Sequence, residues 1–129
     1  MIYLDASVAL AHLFIEKRSP PESIWREEVT ASQLLEYEIW NRIHFHGYAK
    51  SHGEKASAFL SHVSFVELTP AVLARALEPF PVHARTLDAL HLATMDFLRT
   101  KGQTFELLSY DDRMLAAARA MGIAVYGSE

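Results

Sequence analysis

Ile2-Tyr3-Leu4-Asp5-Ala6-Ser7 is a short apolar β-type run that ends on a carboxylate, with a serine positioned to cap the helix that follows. That helix carries Val8, Leu10, Ala11, Leu13 and Phe14. The same grammar returns near the other end of the chain, where Phe105–Ser109 reads as a strand and Asp111 or Asp112 caps the helix running to Met121. Between them lie a strand at Val29-Thr30-Ala31 and a long helix from a Ser32 cap to Gly47. A helix from Gly53 to about Phe65 and a strand at Val66-Glu67-Leu68 follow. Next come a helix opened by Thr69-Pro70 and another from Thr86 to Arg99. Ile123–Tyr126 reads as a last strand, Glu16–Glu22 as a polar loop, and Ser23–Arg26 as a short helix anchored by Trp25. Short apolar strands alternating with helices predict an α/β fold, a three-layer α/β/α sandwich around a mostly parallel sheet. Chemistry in such a fold belongs at the carboxyl ends of the strands.

The rest of the composition narrows the field. The chain has 129 residues, half of them apolar, which suits a single domain spanning 1–129. There is no cysteine, so disulfides, thiolate zinc sites and a cysteine nucleophile are excluded. The formal charge of −4 lacks the basic signature of a generic DNA-coating protein. No basic leader precedes Ile2 and no apolar run is long enough to span a membrane, so the chain reads as cytoplasmic.

The acids are the informative residues. Asp5 and Asp111 or Asp112 follow strands at the same edge of the sheet, so their side chains can converge. Asp88 sits in the first turn of its helix between Leu87 and Ala89, and Glu38 precedes Ile39-Trp40. Glu36 and Glu38 lie about 200° apart around a helix, so only one of them can face a given pocket. A helix-capping role accounts for Asp88, Asp111 and Asp112 taken singly, but less readily for Asp5, where Ser7 already offers the cap; four or five converging carboxylates, by contrast, form a hard oxygen site suited to Mg²⁺ or Mn²⁺. Two such cations would bring the net charge to about zero. His91 shares a helix face with Asp88 and can hydrogen-bond behind the site. His44 and His46 point to different sides of their helix and do not form a chelating pair. Arg42, Lys50, Arg85 and Arg113 are candidates to contact phosphate.

Four segments, in order, resemble the signatures of PIN-domain ribonucleases, and among them the VapC-type toxins of toxin–antitoxin pairs. They are Ile2–Ser7, Ser32-x-Leu34-x-x-x-Glu38, Arg85–Ala93 and Ser109–Arg113, with Leu87-Asp88-Ala89-Leu90-His91-Leu92-Ala93 the most specific. The resemblance implies a Mg²⁺- or Mn²⁺-dependent endoribonuclease whose four acids fall on Asp5, Glu38, Asp88 and Asp111, with Asp112 able to share the fourth role. It places helper hydroxyls at Ser7 and Ser109. It also implies an RNA substrate, a cognate antitoxin and a homodimer. Many relatives carry Arg where this chain has Asn41, with Arg42 next to it. Phe14 and Trp25 are candidates for an apolar groove that accepts a partner helix. A metal-dependent DNA nuclease or phosphatase, and a non-catalytic RNA- or protein-binding module, are the competing readings.

Overall fold

A computed structural model describes residues 1–14 and 18–127. The elements are β1 (Ile2–Leu4), α1 (Ala6–Leu13), a 3₁₀ turn (Glu22–Arg26), β2 (Val29–Ser32), α2 (Leu34–His46) and α3 (Ala49–Leu60). There follow β3 (Val63–Val66), α4 (Pro70–Ala76), α5 (Thr86–Thr100), β4 (Glu106–Leu108) and α6 (Asp112–Ala120). The sheet order is β3-β2-β1-β4, with every pairing parallel. β1 is therefore internal, with Tyr3 opposite Thr30 on one side and Leu107 on the other.

Strand alternation sorts β1 onto two cores. Ile2 and Leu4 point into a cluster with Val8, Leu13, Leu35 and Ile39 of α1 and α2. Tyr3 points the other way, among Leu92, Met95, Met114 and Ala117 of α5 and α6. All three β1 residues are fully buried, as expected of a strand covered on both faces. The expected three layers are thus present. Asp96 ties the outer helices together: it pairs with Arg75 of α4 at 2.7 Å and with Arg99 at 2.8 Å. The two guanidiniums outweigh the effect of burial and hold the Asp96 carboxyl below its usual range.

Several expectations shift in detail. α1 begins at Ala6, and Ser7 does not cap it; the Ser7 hydroxyl turns back to Asp5 instead. Ser32 ends β2, yet its Oγ accepts the Leu34 N–H at 3.1 Å and so serves the start of α2 from one residue further out. α3 starts at Ala49, ahead of Gly53, which sits inside the helix against the Trp40 indole. β3 is Val63–Val66 rather than Val66–Leu68, because that register pairs Val63 with Val29 and Val66 with Ser32. The last strand shrinks to one parallel bridge, Leu107 with Val125. α2 ends at Gly47 in a left-handed conformation (φ 69°) that glycine adopts without steric cost. The Glu16–Glu22 loop falls partly outside the described residues, at 16 and 17; its end enters the 3₁₀ turn at Glu22. Among the described residues no helix is long and apolar enough to cross a membrane.

Candidate active site at the carboxyl edge of the sheet

Asp5 is buried at the end of β1. Ser7 and Ser109 each donate to its Oδ2 at 2.8 Å. Each hydroxyl also accepts a backbone N–H from the loop after β4: Tyr110 N–H to Ser7 at 2.9 Å, and Asp111 N–H to Ser109 at 3.0 Å. The two serines therefore pin the loop and the carboxylate in one arrangement. Asp5 Oδ1 is the oxygen that neither hydroxyl engages.

Asp111 caps α6, its Oδ1 accepting the N–H groups of Arg113 at 2.9 Å and Met114 at 3.4 Å. Capping and a place near the acids coexist in this residue. Asp88, in the first turn of α5, feels both neighbours. Partial burial pushes its carboxyl above the ordinary aspartate value, and the charges of Asp111 and Asp5 push further, while His91 and Arg113 pull back. Asp112 is exposed.

Glu38 is half-buried on α2, and its Oε1 lies 2.6 Å from His91 Nε2. His91 is 2% exposed, and its Nδ1 lies 2.9 Å from the Tyr3 hydroxyl, which in turn accepts the Ser32 N–H at 3.2 Å. Burial works to lower the His91 pKa, but the hydrogen bond and charge of Glu38, backed by Asp5 and Asp88, carry it above the ordinary histidine value. Burial pushes the Tyr3 phenol upward, so it stays protonated. Glu36 is exposed and lines a separate depression with Tyr37, Trp40 and Leu68.

These donors suit a hard divalent cation better than zinc, because the carboxylates supply oxygens and both His91 nitrogens are already engaged. The upward push on Asp88 by Asp111 and Asp5 marks negative charge that a cation would neutralise. Among the described residues no three Asp, Glu or His side chains are grouped closely enough to hold a metal ion together.

Other sequence candidates lie elsewhere. Trp25 lines a cavity of about 540 Å³ with His12, Val29, Lys55, Phe59 and Val63. Val29 and Val63 begin β2 and β3, so this cavity opens at the strand edge opposite the acids. Phe14 packs edge-on against Tyr48 and His52 and is not among the described residues that line this cavity. His44 stacks on Trp40 and His46 on Tyr48, which keeps them apart as expected. Of the basic candidates, Arg113 acts on the acids through Asp88; Arg42, Lys50 and Arg85 are exposed. Two residues escaped the sequence reading. One is Tyr3, whose signal was a hydroxyl in an otherwise apolar central strand. The other is Arg18, which lies 4.2 Å over the Tyr110 ring beside the site.

Comparison with known proteins agrees with this fold. Residues 2–120 match the PIN domain family. The chain is 34% identical to Ribonuclease VapC46 of Mycobacterium tuberculosis, over 96% of this chain and 95% of that protein. It is 29% identical to Ribonuclease VapC35 of the same species (97% and 95%) and 27% identical to Ribonuclease VapC47 (95% and 93%). With a match over nearly its whole length and an α/β/α sheet to carry it, the chain belongs to the PIN domain family.

Proposed function

We propose that the chain is a Mg²⁺- or Mn²⁺-dependent endoribonuclease and the toxin of a toxin–antitoxin pair. The observation that supports this reading most is the double hydroxyl clamp on Asp5, at the strand edge where Asp88 and Asp111 repel one another. A protein with no use for that carboxylate would gain nothing by burying it among other acids. The names of the VapC relatives, all ribonucleases, point the same way.

In this reading Asp5, Glu38, Asp88 and Asp111 hold the metal, with Asp112 at the margin. When bound, a divalent cation supplies charge neutralisation at the phosphate and lowers the pKa of a water for in-line attack on phosphorus. The chain's own residues do the rest. Ser7 and Ser109 fix the Asp5 carboxylate, and His91 fixes Glu38. Arg113, whose charge is felt at Asp88, is the candidate to contact an incoming phosphate. The cations themselves answer the charge of −4 that would otherwise repel RNA.

The protein works in the cytoplasm as a homodimer of one-domain chains and is held inactive by its antitoxin. The antitoxin docks an amphipathic segment at the Trp25 cavity, whose aromatic walls suit apolar anchors. The test is incubation of the purified protein with tRNA, rRNA, mRNA and single-stranded DNA, with and without Mg²⁺. RNA cleavage that stops in EDTA is the expected outcome. Cleavage of DNA in preference to RNA would assign a different substrate, and binding without cleavage would assign a non-catalytic module.

A further inference from the structure

We propose that Tyr3 is a positioning residue for Glu38, acting through His91. The inference rests on the metal-site reading above and adds to it a remote determinant inside the core.

The chain of contacts starts at the backbone. The Ser32 N–H, at the end of β2, donates to the Tyr3 hydroxyl at 3.2 Å. That hydroxyl meets His91 Nδ1 at 2.9 Å, and His91 Nε2 meets Glu38 Oε1 at 2.6 Å. A carboxylate cannot donate, so the proton between Glu38 and His91 sits on Nε2. Nδ1 then accepts from the Tyr3 hydroxyl or, when the imidazole is charged, donates to it. Either way the ring is anchored at both ends. It is also held edge-on to the Tyr3 ring, with the planes at 84°.

This is more than a hydroxyl finding a partner. Phe would fill the same space in β1 without the cost of burying a polar group. The Tyr3 hydroxyl instead links three further elements: β2 through Ser32, α5 through His91 and, beyond it, α2 through Glu38. Glu38 is held by one side-chain partner, His91, where Asp5 and Asp111 each have two donors. Asp5 is gripped by Ser7 and Ser109, and Asp111 by the N–H groups it caps. Glu38 has a longer, freer side chain that stands on α2 and is 19% exposed. Without His91 it is free to turn to water, and without Tyr3 the imidazole loses one of its two anchors.

The test measures Mn²⁺ binding by calorimetry and by the electron paramagnetic resonance of free Mn²⁺, together with kcat and KM on RNA. The variants are Tyr3→Phe, His91→Gln, His91→Leu and Glu38→Gln, with the double variant Tyr3→Phe/Glu38→Gln. Thermal melts verify folding. His91→Leu is expected to weaken Mn²⁺ binding about 10- to 100-fold, the usual loss when a ligand's orienting partner is removed, and Tyr3→Phe by a smaller factor. His91→Gln should recover most of the loss, because its amide can still donate to Glu38. In each case kcat falls while KM for RNA holds. Tyr3→Phe should cost nothing more once Glu38 is already Gln, since it acts only through that side chain. Should His91→Leu fail to fold, the near-isosteric Tyr3→Phe and the His91→Gln variant carry the test. Wild-type Mn²⁺ affinity in Tyr3→Phe, or a loss that adds in full to that of Glu38→Gln, overturns the proposal while Asp5→Asn still abolishes binding. If the wild-type protein binds no Mn²⁺ and Asp5→Asn changes nothing, the metal-site reading falls and this inference falls with it.

Discussion

Ser109 reaches across 104 positions of chain to donate a 2.8 Å hydrogen bond to Asp5, while its own oxygen takes the N–H of Asp111. One hydroxyl thereby fixes the first acid and the approach to the fourth. Ser109→Ala is expected to lower RNA cleavage at least about tenfold, as removal of a ligand's hydrogen-bond partner does. It should also lower stability by about 2 kcal/mol, the usual scale for a hydrogen bond to a charged group. Cleavage assays and chemical denaturation measure the two effects separately.

Asp88 ties stability to function with opposite signs. Its carboxyl is raised in the folded state by partial burial and by Asp111 and Asp5, so the fold favours its neutral form. The folded state then binds more protons than the unfolded state between the ordinary aspartate value and the raised one. Asp88's contribution to stability is therefore lost as pH rises through that window. Asp88→Asn should raise the melting temperature of the metal-free protein at neutral pH and flatten its pH dependence in the acidic range. Added Mg²⁺ should stabilise wild type more than the variant.

Glu38 and Glu36 offer an internal control on one helix. Glu38 meets His91, whereas Glu36 is exposed on another face. Glu38→Gln should weaken metal binding and Glu36→Gln should leave it unchanged, as read by Mn²⁺ titration. A loss in Glu36→Gln alone would mean that the wrong face of α2 has been assigned to the site.

Trp25 and Phe14 should now behave differently. Trp25 walls an open cavity, while Phe14 is packed among Tyr48 and His52. Trp25→Ala is expected to weaken binding of the antitoxin by roughly 2 kcal/mol with the fold retained, as for a buried aromatic anchor. Phe14→Ala should lower the melting temperature and change affinity little. Calorimetry with the product of the adjacent gene separates the two.

Product ends report the nucleophile. Attack by water on phosphorus leaves a 5′ phosphate and a 3′ hydroxyl, whereas attack by the ribose 2′-OH leaves a 2′,3′-cyclic phosphate. End-group analysis of the cleaved RNA should find the first pair, and a 2′-deoxy residue at the cleavage site should still be cut.

The layered architecture was legible because its cause is local. Ile2-Tyr3-Leu4 and Phe105–Ser109 are apolar runs ending on polar residues, and each is followed by a helix. What escaped was set by pairing across the sheet or by contacts distant in sequence. Val63–Val66 becomes β3 because its register fits β2, a fact absent from its own residues. Ser7 looked like a cap because its sequence neighbours are helical, yet Asp5 and Tyr110 recruit it. Asp111 and Asp112 are adjacent and equivalent in sequence; only the start of α6 makes one the cap, its carboxylate on the N–H groups of Arg113 and Met114, and leaves the other exposed. Within the apolar run Ile2-Tyr3-Leu4 the Tyr3 hydroxyl gives no local sign of its role, because its partners, Ser32 and His91, lie 29 and 88 residues away.

The account stands most directly on the dependence of RNA cleavage on the acid cluster and a divalent ion together. The measurement is the initial cleavage rate of wild type, Asp5→Asn and Asp88→Asn across a Mn²⁺ titration, with an EDTA arm and folding verified by melts. The account predicts a saturable rise in the wild-type rate, none in EDTA, and rates at least about 10²-fold lower in both variants. Undiminished cleavage in EDTA, or a wild-type rate in either folded variant, would contradict it.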